Sequence, residues 1–251
     1  MKTKELTYHL SKTQFNVGYI ENTYYLSSAS DCQIIGTGFN VAQIDKIVVD
    51  GTVKTLSSTN TIYLAAGTHK AQIYFNRFLT GSNLFNNCTT LITSVWHNMN
   101  DFYCTSLTSL YHNCTAITTI NFNGFEGKNV TQMINSFNSC SKLTSLNLSS
   151  LCPTNLTDVR NLFNYSVSIT TIDMRYIDFS HVLQWGFTFG NCAKLTSIYM
   201  NSPINSAATY TTNMFVNASA SGAKLYYNSK YNYSYINNVK RSNWTLTPYS
   251  F

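Results

Sequence analysis

The strongest constraint on the fold of this chain is an internal repeat of 26 residues. Four cysteines share one register, with separations of one, one and two repeat lengths: Cys88, Cys114, Cys140 and Cys192. The skipped position is Ser166, and the series ends in register at Ala218. A Phe or Tyr lies three positions before each of these residues. A fixed period of about 20 to 50 residues is the sequence signature of a solenoid.

The pattern within one repeat predicts a short helix followed by a short strand. In the third copy, four residues spaced by three, four and three positions lie on one helical face: Val130, Met133, Phe137 and Cys140. Leu146 and Leu148 then alternate with polar residues in the two-residue period of a half-buried strand. Equivalent strands are predicted at 117–122, 169–174 and 195–200.

A single unit of this kind cannot bury its apolar face, so neighbouring copies must stack into one core. Strands pair at about 4.7–4.9 Å, whereas helices pack at about 8–10 Å. We therefore expect an arc that curves towards its strands, with successive cysteines too far apart for disulfides. In the first copy an apolar residue, Val95, stands one position later than the register requires, which predicts a bulge or an altered edge strand.

The repeated string Phe-x-x-Cys-x-x-Leu-Thr-Ser-Leu-x-Leu, seen at 137–148, resembles the BspA-type leucine-rich repeats of bacterial and phage surface proteins. The resemblance covers about residues 78–225, and residues 225–244 resemble the closing cap of that family. It implies an α/β solenoid, namely a leucine-rich-repeat arc of five to six 26-residue helix-strand repeats with a C-terminal cap.

Four segments are predicted along the chain. Residues 1–30 are interpreted as an extended N-terminal arm, because no clear period occurs in its first 20 residues. Residues 31–80 are interpreted as a small antiparallel β unit that caps the first repeat. The repeats occupy 81–223, and 224–251 form a Tyr-rich C-terminal cap.

Two hairpins are expected in the small β unit. The first joins 44–49 to 52–54 through the tight turn Asp50-Gly51. The second joins 61–64 to 69–75 through a turn at Ala66-Gly67.

Composition favours a binding or packing surface. Only 10% of the residues are charged, compared with about a quarter in typical domains, and polarity comes from Asn, Ser, Thr and 18 Tyr. The formal charge of +6 is spread along the chain, so nucleic-acid binding, which needs a concentrated basic stripe, is not expected.

No export signal and no stretch of about 18 apolar residues is evident, so membrane insertion is not expected.

Catalytic and metal-binding chemistry is not indicated by the sequence. There is no Cys-x-x-Cys spacing, the five histidines are scattered, and no nucleophile or phosphate-loop motif occurs. The ladder cysteines are predicted to be buried reduced thiols, since Ser166 and Ala218 replace them in register. We therefore expect no metal site, no cofactor and no enzymatic activity.

If a ligand binds, the outward side of the strands is the natural place, because its side chains form a regular array on a rigid scaffold. The candidate ligand-binding residues are Trp96, Asn121, Asn147, Asp173 and Tyr199, flanked by Thr119, Ser145, Thr171 and Ser197. Their mixture of aromatic, amide and carboxylate groups suits a sugar or a protein loop, and the alternative is that they are solvated strand residues without a function. A second candidate is the Tyr-rich tail, and its alternative is a cap packed on the last repeat: Tyr226, Tyr227, Tyr231, Tyr233 and Tyr235.

The leading functional hypothesis is a non-enzymatic phage virion fibre or decoration protein, located on the virion surface, because lysis releases a virion without an export signal. Its arm would attach to other virion proteins or to sister subunits, for example in a homotrimer. Its repeat arc would contact a glycan or protein of the host surface. The alternatives are a bacterial cell-surface adhesin of the same family and an intracellular repeat scaffold that binds another protein.

Overall fold

The structure is a computed structural model that describes residues 18–100, 102–208, 211, 213–219, 222–231 and 243–249. These residues form thirteen strands and one short 3-10 helix at Val41–Gln43. The strands are β1 (Tyr19–Leu26), β2 (Ser30–Gln33), β3 (Ile44–Val49), β4 (Thr52–Lys54), β5 (Thr61–Leu64), β6 (Gly67–Phe75), β7 (Leu91–His97), β8 (Thr119–Asn121), β9 (Ser145–Asn147), β10 (Thr171–Met174), β11 (Ser197–Met200), β12 (Lys224–Asn228) and β13 (Thr245–Tyr249).

Each 26-residue copy forms one coil of a β-solenoid. Corresponding strands of successive coils pair in parallel, as Asp173 does with Asn147 on one side and with Tyr199 on the other. The strands make two main sheets, one in the order β4-β3-β6-β1-β7-β8 and one in the order β13-β12-β11-β10-β9. The solenoid prediction is confirmed, and the predicted strands exist in shorter form.

The predicted helix-strand repeat is wrong, because each predicted helix is a run of tight turns. In the third coil, Asn135 has φ 57° and Ser139 has φ 62°. Residues in this left-handed region cannot continue a right-handed helix, and Asn is among the residues that tolerate it best. Such residues recur four positions apart in every coil: Asn83 and Asn87, Ser109 and Asn113, Asn135 and Ser139, Asn161 and Tyr165, Phe187 and Asn191, Asn213 and Asn217.

Backbone hydrogen bonds on this turn side alternate between the next coil and the coil's own turn. The Phe137 N–H donates to the Leu162 carbonyl at 2.9 Å, whereas the adjacent Asn138 N–H donates to the Asn135 carbonyl at 3.1 Å. Turn side and strand side are therefore both joined by hydrogen bonds between coils. The solenoid was expected to curve towards its strands because helices on the other side would pack at a wider spacing. The turn side has no such helices, so this reason for curvature is wrong.

The core of the solenoid is a column of aromatic rings, one from each coil. Phe137 stacks on Tyr111 at 6.0 Å and on Phe163 at 5.4 Å between ring centroids. The column runs from Phe85 to Phe215, against which Trp244 packs at 4.7 Å. All its rings are buried, which explains why an aromatic residue recurs at this position.

The ladder cysteines are free, buried thiols, but the helix spacing expected between them does not exist. The Cys140 Sγ–H donates to the Tyr111 carbonyl of the preceding coil at 3.2 Å, and the Ser166 hydroxyl donates to the Phe137 carbonyl at 2.6 Å. Burial raises the pKa of the Cys192 thiol to about 12, which keeps it protonated as a donor. In the inner coils the position holds a small hydrogen-bond donor, for which Ser is a close substitute, whereas the last coil has Ala218 there.

The N-terminal unit joins the solenoid through β1, which lies antiparallel between β6 and β7. The hairpin β3–β4 turns at Asp50-Gly51 and confirms the first predicted hairpin. The second is wrong, since β5 pairs with β2 while β6 pairs with β1 and β3. Residues 19–26 of the predicted arm are β1, and residues 1–17 lie outside the described part of the chain.

The first coil keeps its register by burying a polar residue. Ser94 pairs with Ile120 and Val95 with Asn121, with no bulge between β7 and β8. The irregularity lies between β1 and β7, at Thr23/Tyr24. Buried Ser94 accepts a hydrogen bond of 2.7 Å from the Tyr111 hydroxyl, so its polar group is satisfied in the core.

Candidate functional site: the strand face

The outward side of the parallel strands carries an aligned row of side chains, which we call the strand face. Residues between its members, such as Ile172 and Ile198, point inward and are buried. Its central row is Val95, Asn121, Asn147, Asp173, Tyr199, Tyr226 and Thr247, and a second row is Thr93, Thr119, Ser145, Thr171, Ser197, Lys224 and Thr245. The flanking residues predicted for the candidate site all belong to the second row.

One predicted site residue, Trp96, does not belong to the strand face. Its side chain is fully buried, and its indole N–H donates to the Tyr111 hydroxyl at 2.8 Å. The register of the first coil gives the outward position to Val95. The other four predicted residues occupy the central row; Asn121 lies in the sheet that ends at β8, and the remaining three pair directly in the sheet that begins at β9.

Three members of the central row have a structural role at the ends of their strands. Asn121 Oδ1 accepts the Asn123 N–H at 2.8 Å, and Asn147 Oδ1 accepts the Ser149 N–H at 2.8 Å. Asp173 Oδ1 accepts the Arg175 N–H at 3.2 Å in the same way. These Asx turns direct the chain away from the sheet. The recurring Asn or Asp is thus accounted for without a ligand.

The chemistry of the strand face changes at Tyr199, where two aromatic rings follow in successive coils. Tyr199 stacks on Tyr226 with centroids 4.6 Å apart and an interplanar angle of 7°. Arg175 lies over the Tyr199 ring at 5.7 Å and forms an ion pair with Asp173 at 2.6 Å. Because one face of each ring contacts the other ring, the pair offers mainly ring edges and hydroxyl groups to a ligand.

The structure joins two candidate sites that the sequence had separated. Tyr226, from the Tyr-rich tail, is the direct strand partner of Tyr199. Their spacing is one residue longer than the repeat, so the 26-residue register did not reveal the pairing. Tyr227 and Tyr231 are partly buried against the core, whereas Tyr233 and Tyr235 lie outside the described residues.

Metal-ligating side chains and ionisable groups occur across the described residues. No group of three or more His, Cys, Asp or Glu residues in that part of the chain is placed to hold a metal ion. No helix among the described residues is long and apolar enough to cross a membrane. Burial raises the pKa of Cys104 to about 12 and that of Tyr249 to about 12, so burial opposes their ionisation.

Comparison with known proteins assigns the repeat region to a family. A family model described as "Mycoplasma protein of unknown function, DUF285" matches residues 80–202 and, in an overlapping match, residues 105–229. Together the matches span 80–229, more than half of the 251 residues. The chain belongs to this family. No curated protein and no solved structure matches the chain.

Proposed function

We propose that the protein is a non-enzymatic binding protein displayed on a surface, with the strand face as its contact surface. The observation that carries this proposal is the change of chemistry along one aligned row. Its backbone register is constant from β9 to β13, but its side chains pass from Asn147 and Asp173 to Tyr199 and Tyr226. A rigid array with an aromatic, hydroxyl-bearing end is suited to contact with a glycan or a protein loop.

The surface on which the protein is displayed is proposed to be that of a phage virion, where the chain would serve as a fibre or decoration protein. The resemblance to the BspA-type surface proteins of bacteria and phages supports this. Attachment would use the residues before β1, since β1 itself is an inner strand of the sheet.

A bacterial cell-surface adhesin is the second candidate. The family description names proteins of a bacterium, Mycoplasma, which keeps a bacterial cell surface as an alternative. Immunogold labelling of producer cells and of particles released from them separates the two proposals. Label confined to particles supports the virion, and label on intact cells supports the adhesin.

The contact surface is tested with Tyr226→Ala, which removes one ring of the stacked pair. The full chain is screened against a glycan array and against proteins extracted from host-cell surfaces. We expect the captured ligand to be retained by a Tyr63→Ala control, whose side chain is 69% exposed on β5, and lost in Tyr226→Ala. Equal capture by both variants would contradict a role for the strand face.

Attachment through the arm is tested by light scattering of the full chain and of a variant that lacks residues 1–17. This deletion leaves β1 intact. A trimer that becomes a monomer on deletion supports self-assembly through the arm. A monomer in both cases contradicts it.

A further inference from the structure

Beside the strand face, the segments that follow β10 and β11 enclose an open cleft of about 330 Å³. This volume is at the lower end of the roughly 300–1,000 Å³ found for small-molecule sites. The cleft lies next to the central row but contains none of its members. A ligand there would be recognised independently of what the strand face binds.

The lining of the cleft includes the rings of Tyr176, Pro203 and Tyr231. Tyr176 is 57% exposed, and none of the described aromatic residues stacks on it. Tyr231 is partly buried against the core, which fixes its position. The cleft therefore offers one free aromatic face, in contrast to the stacked rings of Tyr199 and Tyr226.

The lining also contains a hydrogen-bond acceptor, Asp178. Its Oδ1 accepts hydrogen bonds from the Ser180 N–H at 2.9 Å and from the Ser202 hydroxyl at 3.0 Å. Burial raises the pKa of Asp178, but the hydrogen bonds from Ser180 and Ser202 outweigh it and hold the pKa below its usual value. A carboxylate has about four acceptor positions, so an oriented, ionised Asp178 retains capacity for a ligand.

The lining also contains an amide group that can donate, Asn201. Asn201 Oδ1 accepts a hydrogen bond from Asn228 Nδ2 at 2.9 Å, which orients the amide group. Its own Nδ2 donates to none of the described residues. The cleft thus combines one oriented donor, one oriented acceptor and an aromatic face.

The charges around the cleft disfavour an ionic ligand. Arg175 is neutralised by its ion pair with Asp173. Lys230 lies over the Tyr231 ring at 4.8 Å and places one positive charge beside the lining, and Asp178 places one negative charge in it. An anion would need a cluster of unpaired positive groups, and a cation would need an excess of negative ones.

We propose that this cleft binds one neutral pyranose ring of a glycan. The C–H face of the sugar would pack on Tyr176, while vicinal hydroxyl groups, which both donate and accept, would pair with Asp178 and Asn201. The proposal goes beyond the contact surface described above, because it requires no ligand on the strand face.

The test is saturation-transfer NMR on the full chain with methyl glycosides of glucose, galactose, mannose and N-acetylglucosamine. Choline serves as a small cationic probe. We expect at least one glycoside to bind, Tyr176→Ala to weaken it by about tenfold, and Tyr176→Phe to retain it. Tyr63→Ala is the matched control for loss of an exposed tyrosine.

The proposal would be overturned by no transfer to any glycoside, by equal transfer with Tyr176→Ala, or by tighter binding of choline than of every sugar. Unchanged thermal unfolding of Tyr176→Ala checks that the fold is kept. Tyr226→Ala separates the two sites. Glycoside binding that survives Tyr226→Ala supports an independent cleft, whereas equal loss in Tyr226→Ala and Tyr176→Ala would contradict it.

Discussion

The turn side and the strand face belong to the same coils, yet their sequences behave differently. On the turn side the same residue types return in coil after coil: the ring at Phe137, the thiol at Cys140 and the left-handed residue at Asn135. The central row of the strand face instead changes from Val through Asn and Asp to Tyr and Thr. Repetition marks the positions on which the fold depends, and variation marks those available for binding.

The largest expected difference between the two sides concerns the aromatic column. Phe137→Ala removes a fully buried ring between two stacked neighbours, so we expect a loss of about 3–5 kcal/mol in the free energy of unfolding. Tyr226→Ala, on the partly exposed strand face, should cost less than about 1.5 kcal/mol. Urea denaturation of both variants measures the contrast. Equal losses would remove the distinction between scaffold and contact surface.

The next largest expected effect on stability concerns residues with a left-handed backbone conformation. Asn135→Ala retains a Cβ at φ 57° and loses the hydrogen bond from Asn138, so it should cost about 1–2 kcal/mol. Asn135→Gly loses the same bond without the steric conflict and should cost less. Chemical denaturation ranks the two variants, and the reverse ranking would contradict a left-handed requirement.

Tyr165 allows the same requirement to be tested in the stabilising direction. It is 55% exposed and has φ 59°, a region that a bulky side chain disfavours. Tyr165→Asn introduces the residue found at this position in four other coils. We expect it to raise the free energy of unfolding by about 0.5–1 kcal/mol. A loss of stability would show that the Tyr165 ring makes a compensating contact.

The cysteine ladder should show an effect on stability of similar size that depends on the side-chain donor. Cys140→Ala leaves the Tyr111 carbonyl without the thiol donor, for an expected loss of about 1 kcal/mol. Cys140→Ser keeps a donor, as Ser166 does in the next coil, and should be closer to the parent. Differential scanning calorimetry compares them. A less stable Ser variant would mean that thiol volume matters more than donation.

The smallest effect belongs to the N-terminal unit, where His69 Nδ1 and Asp50 Oδ2 are 2.6 Å apart. The hydrogen bond to Asp50 raises the pKa of His69. The stability that protonated His69 contributes is therefore present at low pH and is lost as pH rises through the pKa of His69 in the folded state. Burial raises the pKa of Asp50, but hydrogen bonds from His69 and the Lys70 N–H lower it overall. The stability that ionised Asp50 contributes is therefore lost as pH falls through the lowered pKa of Asp50.

The pair should therefore stabilise the hairpin most between about pH 4 and 6.5, by about 0.2–1 kcal/mol. Thermal unfolding across pH measures it. Asp50→Asn keeps a residue that tolerates the turn conformation. It should remove the gain in unfolding temperature over this pH range. An unchanged profile would contradict the pair's role.

The 26-residue repeat predicted the solenoid and its period. The strand positions could be predicted because buried Leu146 and Leu148 alternate with polar residues, which is a pattern that one strand shows by itself. It did not predict the turn side, because a run of tight turns buries Val130, Met133, Phe137 and Cys140 just as a helical face would. The recurring Asn residues were the available signal. Within the site, Tyr226 was placed in a separate segment because its spacing from Tyr199 departs from the repeat, and Trp96 was misplaced by one position.

The most direct test of the β-solenoid is NMR detection of scalar coupling across backbone hydrogen bonds of the deuterated full chain. The structure predicts coupling between the amide nitrogen of Phe137 and the carbonyl carbon of Leu162, one coil away. Coupling of the same nitrogen to the carbonyl carbon of Met133, four residues earlier, would indicate a helix and contradict the account.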